Sequence, residues 1–237
     1  MNAQTVADIQ QHAFDIITGT DGTDPALNGT AGDDTIVALN GNDTVDGEAG
    51  NDTIIGGAGD DIIHGGSGTD IILADDAGAG NGNDYVYGDG GDDQINGGVG
   101  SDYLYGGTGD DIIDGDTVGR VGGADYLFGD TGNDTLNGDD GNDHLTGGSG
   151  DDVLTGGAGS DTFSFSMIEG VQLDNITDFH SGHDSVSLTG FGTDINDVLS
   201  HIQDTDDGAT LHLENGATIV FEGVQAADLH TTDFQLA

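Results

Sequence analysis

Gly56-Gly57-Ala58-Gly59-Asp60-Asp61-Ile62-Ile63-His64 is followed without a break by Gly65-Gly66-Ser67-Gly68-Thr69-Asp70-Ile71-Ile72-Leu73, and the second stretch matches the first at six of its nine positions. The shared unit is Gly-Gly-x-Gly-x-Asp-x-apolar-x, nine residues long. Working outward from this pair, fourteen copies can be aligned between Gly29 and Ser164. They start at residues 29, 38, 47, 56 and 65, then 79, 88, 97 and 106, then 120, 129, 138, 147 and 156. Five-residue insertions, 74–78 and 115–119, separate the three groups. The sixth position is Asp in every copy and the eighth is apolar in every copy, from Ile36 to Phe163. Repetition at a short fixed period is the signature of a stacked, solenoid-like fold.

Each half of the unit has its own physical reason. Glycines admit backbone conformations that other residues resist, and leave carbonyl oxygens free to converge. A carboxylate then completes an all-oxygen site for a hard cation. Calcium tolerates six to eight oxygens in flexible geometry and suits such a mixed set better than magnesium. The x-apolar-x triplet turns one side chain in and two out, so each copy lays down one short strand and buries one residue.

These units resemble the nonapeptide of the RTX (repeats-in-toxin), or hemolysin-type, calcium-binding repeat. The resemblance implies an all-β chain, a right-handed parallel β-roll with two units per turn, and calcium held between unit n and unit n+2, about a dozen ions in all. It implies metal ligation by Asp34, Asp43, Asp52, Asp61, Asp70, Asp84, Asp93, Asp102, Asp111, Asp125, Asp134, Asp143, Asp152 and Asp161. Carbonyls of the flanking glycines are expected to supply most remaining ligands. In the best-formed units these are Gly56, Gly57, Gly59, Gly65, Gly66, Gly68, Gly97, Gly98, Gly100, Gly106, Gly107, Gly109, Gly147, Gly148, Gly150, Gly156, Gly157 and Gly159.

Composition agrees with a cation-dependent fold. The 237 residues carry 46 acidic side chains against one basic one, Arg120, a formal charge of -45. Self-repulsion of that size opposes compaction unless cations are bound. Nucleic-acid and anionic-membrane binders need Lys or Arg, so both classes are excluded. With no lysine there is neither a Walker-type phosphate loop nor a Schiff-base nucleophile. No cysteine is present for disulfides or thiolate metal sites. No apolar run is long enough to form a transmembrane helix.

Residues 1–18 lack the charged and apolar regions of a cleavable signal peptide and are expected to cap the first rung. Residues 19–28 read as a degenerate first unit, giving an N-terminal region 1–28 ahead of the roll at 29–164. All five tyrosines fall at outward positions of even-numbered units: Tyr85, Tyr87, Tyr103, Tyr105 and Tyr126, with Phe128 completing the last pair. Stacking at about 4.8 Å per rung predicts a two-column aromatic ladder on one face. Cross-rung packing explains such a ladder, and a docking surface for a polysaccharide or a second protein is the sharper alternative.

From Phe165 the units give way to ordinary strand alternation, so residues 165–237 are expected to form a β-rich cap. Asp194 is expected to cap a short helix over Ile195–Ser200, and Asn215-Gly216 to turn a hairpin between 209–213 and 217–221. The stretch Ile176–Gly192 resembles the segment after the repeats in RTX proteases and alginate epimerases. That resemblance, with the terminal Asp233-Phe234-Gln235-Leu236-Ala237, implies an uncleaved signal for type I secretion machinery.

No catalytic constellation is visible. There is no His-Glu-x-x-His, and Gly147-Gly148-Ser149-Gly150-Asp151 fails the Gly-x-Ser-x-Gly elbow at its last position. His180 and His183 are close enough to share a metal but read as surface residues of a turn. The expected protein is a secreted, extracellular, non-enzymatic calcium binder that folds on meeting calcium. The alternatives are a module of a larger extracellular enzyme, or a polysaccharide-binding adhesin.

Overall fold

A computed structural model describes residues 15–75, 81–117, 122–192 and 194–237. The architecture is a parallel β-roll. From Ile16–Thr18 to Ser185–Thr189 successive strands alternate between two sheets, one of twelve strands and one of ten among the described residues. Within a sheet Ile36 lies opposite Ile54 and Ile54 opposite Ile72, so two nine-residue units complete one turn. Across the insertions the register jumps without slipping: Ile72 pairs with Ile95 and Leu104 with Leu127. The added residues are taken up in a turn because a one-residue slip would send every inward side chain to the wrong face.

The core is a double file of single side chains. Ile36, Ile54, Ile72, Ile95, Ile113, Leu136 and Leu154 from one sheet meet Val45, Ile63, Val86, Leu104, Leu127, Leu145 and Phe163 from the other, all buried. Each unit thus orders nine residues to bury one large apolar side chain. That ratio is far poorer than in an ordinary domain core.

Four boundaries differ from the sequence expectation. Ala74 and Asp75 continue the strand Ile71–Asp75, with Asp75 opposite Gly57. Gly115 and Asp116 likewise continue Ile112–Asp116, with Asp116 opposite Gly98. They therefore fill the first two positions of the sixth and tenth units, and the extra residues follow Asp75 and Asp116 instead of beginning at 74 and 115. Ladder hydrogen bonding carries each strand on, and the small Ala74 side chain fits, fully buried, where a glycine usually stands. Of the remaining insertion residues Thr117 is described, while 76–78 and 118–119, with the adjoining 79–80 and 120–121, lie outside the described residues.

Stacking does not stop at Ser164. Thr162–Ser166, Leu173–Ile176, Ser185–Thr189, Thr218–Glu222 and Phe234–Leu236 all add parallel strands to the two sheets. At the other end Ile16–Thr18 already forms the first rung, paired with Thr35–Val37. The segment expected to cap that rung thus supplies it from Ile16 onward, and residues 1–14 lie outside the described part. The C-terminal end is closed by antiparallel pairing of Gly208–His212 with Thr218–Glu222 and by Phe163, Phe179, Phe221 and Phe234 in tilted and edge-to-face contacts. Asp194 caps the helix Ile195–Ser200 through its side chain, accepting from the Asn196 N–H.

Candidate metal centre

The fourteen sixth-position aspartates are buried, none more than 2% exposed. They form two rows along the two edges of the roll, with the same use of atoms on nearly every rung. Oδ1 accepts the backbone N–H of the aspartate one turn earlier: Asp84 N–H donates to Asp102 Oδ1 at 2.8 Å, and Asp102 N–H to Asp125 Oδ1 at 2.8 Å. The other oxygen is left over. Thirteen of the fourteen Oδ2 atoms, all but that of Asp34, are buried without a hydrogen-bond partner. Buried polar atoms are almost always satisfied, so a repeated orphan marks a place for a ligand.

The first glycine of the unit makes room beside that oxygen. A Cβ on Gly97 would stand 2.6 Å from Asp102 Oδ2 and 2.5 Å from the Gly115 carbonyl oxygen of the next turn. Gly65, Gly115 and Gly138 repeat the arrangement with Asp70 and Gly88, Asp125 and Gly138, and Asp143 and Gly156. At these positions a Cβ would crowd the cradle of one carboxylate oxygen and one carbonyl oxygen, although Ala38 and Ala74 stand at the equivalent place beside Asp43 and Asp84. The second position is backbone-limited instead: Gly66 has φ 101° and Gly148 φ 105°. Leu39 takes φ 82° at the equivalent place, an unfavourable conformation for a bulky side chain. Leu39→Gly is therefore expected to stabilise the folded protein by up to about 1 kcal/mol, read as a small rise in thermal midpoint.

Among the described residues no three acidic or imidazole side chains are placed to hold one metal ion between them. A cation here would rest on one carboxylate per rung and on backbone carbonyls for the rest, a donor set that fits calcium. His180 and His183 border the turn Gly157–Gly159, and the Nδ1 of His180 is 3.9 Å from Asp184 Oδ2.

Electrostatics press in the same direction. Burial, opposed by the backbone hydrogen bond and reinforced by neighbouring carboxylates, pushes Asp84, Asp93, Asp102 and Asp143 up to about 8 and Asp61 and Asp134 up to about 7. Carboxylates with raised values in the fold favour the metal-free roll most below the ordinary carboxylate range, and that contribution is lost as pH rises through about 8. Acidifying metal-stripped protein from pH 8 toward pH 4 is accordingly expected to increase its β-sheet circular dichroism. A flat response over that window would contradict the burial of these groups.

Sequence reasoning missed several members of the rows. Asp152 N–H donates to Asp174 Oδ1 and Asp161 N–H to Asp184 Oδ1, while Asp15 and Asp24 hold the same place before Asp34 and Asp43. The step from Asp161 to Asp184 is 23 residues, the same as across the insertions from Asp61 to Asp84, and that stride was the available signal. Asp75 and Asp116 were missed as well. Both are buried second-position carboxylates, and Asp116 adds an open Oδ1 to the edge that holds Asp102 and Asp125.

The outward rings stack as two columns. Tyr85, Tyr103, Tyr126 and His144 follow one another with centroids 4.8, 4.7 and 4.6 Å apart, and His64, Tyr87, Tyr105 and Phe128 at 4.6, 5.0 and 4.7 Å. Because the flat faces are taken by neighbouring rings, the surface offers ring edges and phenolic hydroxyls. That arrangement is accounted for by cross-rung packing.

The profile described as "RTX calcium-binding nonapeptide repeat (4 copies)" matches residues 26–54, 47–77, 79–104, 88–117, 121–154 and 137–165. Among solved structures, the AlgE6R3 subunit of the Azotobacter vinelandii mannuronan C5-epimerase is 29% identical, with a TM-score of 0.42 over 58% of this chain and 80% of that one. The extracellular lipase LipA of Serratia marcescens is 22% identical, with a TM-score of 0.42 over 95% of this chain and 40% of the lipase. No curated protein sequence matches the chain.

Proposed function

Because the chain belongs to the RTX calcium-binding nonapeptide repeat family, we propose that it is a secreted calcium-binding protein without catalysis of its own. In this reading the roll folds on extracellular calcium after type I export. RTX nonapeptide repeats bind calcium, and one observation carries that property to particular atoms here: thirteen buried carboxylates each keep one oxygen open, and eleven of those oxygens face a glycine cradle.

In this reading the Oδ2 atoms from Asp43 to Asp161 hold the ions together with carbonyls of the flanking glycines. Bound calcium supplies concentrated positive charge that the chain lacks. The remaining work belongs to the chain. Oδ1 of each aspartate keeps adjacent turns in register, the first glycine leaves space, and the apolar file beneath excludes water. In low-calcium surroundings the acidic chain stays extended and fit for an export channel, and outside it meets calcium at the level that modest-affinity sites need. Residues 165–237 close the roll and carry the export signal.

Equilibrium dialysis against calcium, with magnesium in parallel, tests the reading. Uptake of about a dozen calcium ions per chain with little magnesium is the expected result. Binding of one or two ions, or equal uptake of both metals, would refute it.

A further inference from the structure

The open oxygens stop abruptly at both ends of both rows, and at each end a protein donor occupies the same oxygen. Asp174 takes the ladder place after Asp152, yet its Oδ2 accepts Gln172 Nε2 at 2.9 Å. The same Nε2 donates to the Gly148 carbonyl oxygen at 2.9 Å, so one amide nitrogen bridges a ladder carboxylate and a second-position carbonyl of the preceding turn. Gln172 is 7% exposed, and because both of its partners are acceptors only, the orientation of its amide is fixed. In the other row Asp184 follows Asp161, and its Oδ2 accepts the His180 N–H at 2.7 Å. At the N-terminal end Asp34 Oδ2 receives the Thr30 N–H at 2.6 Å and its hydroxyl at 2.9 Å, and Asp24 Oδ2 receives the Thr20 N–H at 2.6 Å and its hydroxyl at 3.2 Å.

We infer that these four donors are built-in terminators, standing where an ion stands on every interior rung and fixing the number of cation sites at the thirteen open carboxylates. The inference rests on the calcium reading above. A cation between turns needs oxygens from both, and beyond Asp174 and Asp184 the stack continues through Thr218–Glu222 and Phe234–Leu236, which no nonapeptide loop precedes to provide them. An N–H group satisfies a single carboxylate oxygen and asks for nothing beyond it. A local threonine turn accounts for the contacts of Thr20 and Thr30 alone. It does not account for Gln172, which spans two turns.

The experiment counts calcium by native mass spectrometry on the full chain, for the wild type and two variants at saturating calcium. Gln172→Glu replaces the bridging donor with a second carboxylate beside Asp174 and the Gly148 carbonyl, and should bind one ion more than the wild type. Thr30→Gly removes the donor hydroxyl and admits the left-handed backbone found at other second positions, a conformation Thr30 does not adopt, and should independently add one ion. If Gln172→Glu fails to fold, Thr30→Gly decides. Folded variants with unchanged counts, or a wild-type count above thirteen, would overturn the terminators while leaving calcium binding intact. A wild type that binds no calcium would instead sink the underlying reading.

Discussion

Excess chelator is expected to abolish the far-ultraviolet β-sheet signal of this protein, and calcium to restore it in one cooperative transition near 0.1 to 1 mM, the range of extracellular calcium modules. Three features make the effect large. The core gains one apolar side chain per nine residues ordered, so hydrophobic burial alone is thin. Thirteen carboxylates are buried with an unpaired oxygen, and an unpaired buried charge is among the costliest groups a fold can carry. The formal charge of -45 includes a single basic residue, so the chain has almost no cation of its own to offer. Thirteen divalent ions would neutralise more than half of that charge. Magnesium, which demands a strict octahedron and holds its water, should not replace calcium. A β signal already complete in chelator would show that the strands fold without metal, and folding triggered by calcium would then be wrong.

Asp102→Ala is expected to raise the calcium midpoint severalfold and to broaden the transition. Two losses combine at this residue. Its Oδ2 is one of the open oxygens, so a central site loses its carboxylate. Its Oδ1 accepts the Asp84 N–H, and removing it leaves a buried donor unpaired at about 1 to 3 kcal/mol. Asp102→Asn retains an acceptor oxygen for Asp84 while removing the charge, so the difference between the two variants isolates the hydrogen bond. Because each turn contacts chiefly its neighbours, the damage should be local and the transition should lose cooperativity instead of vanishing. Asp206→Ala, at an exposed residue of the C-terminal region, is the control and should leave the midpoint where it was. Equal midpoints for Asp102→Ala and Asp206→Ala would mean that the ladder aspartates hold no ion.

How much of this was legible depended on how strictly a feature followed the nine-residue period. The inward file from Ile36 to Phe163 and the aspartates two residues earlier could be read directly, because every strand repeats one inward residue at one offset. The insertion boundaries could not, because Ala74 and Asp75 replace two glycines and keep their backbone place through strand pairing, which leaves no mark in the residue types. Asp174 and Asp184 were obscured for a related reason. The segments before them hold a single glycine each, Gly170 and Gly182, in place of the repeat's glycine pattern, yet ladder hydrogen bonds still bring their carboxylates into line. The closure of Asp34 by Thr30 was hidden by regularity itself, since its unit keeps the aspartate and departs only at the second position. In the aromatic columns the sequence reading stopped at the tyrosines and Phe128, whereas stacking extends to His64 and His144 because an imidazole offers a flat face to the next ring.

The aspartate ladder also gives the molecule a head and a tail. Every one of its links runs the same way, a backbone N–H on one turn reaching forward to a carboxylate on the turn that comes later in sequence. Trimming the chain from its front end strips donors away and exposes carboxylate oxygens that water or a loose ion can satisfy. Cutting from the rear removes the acceptors and leaves backbone N–H groups at the new end for water to meet. Shortened versions of the two kinds, matched for length, are therefore unequal objects: one begins with carboxylate oxygens, the other ends in backbone N–H groups.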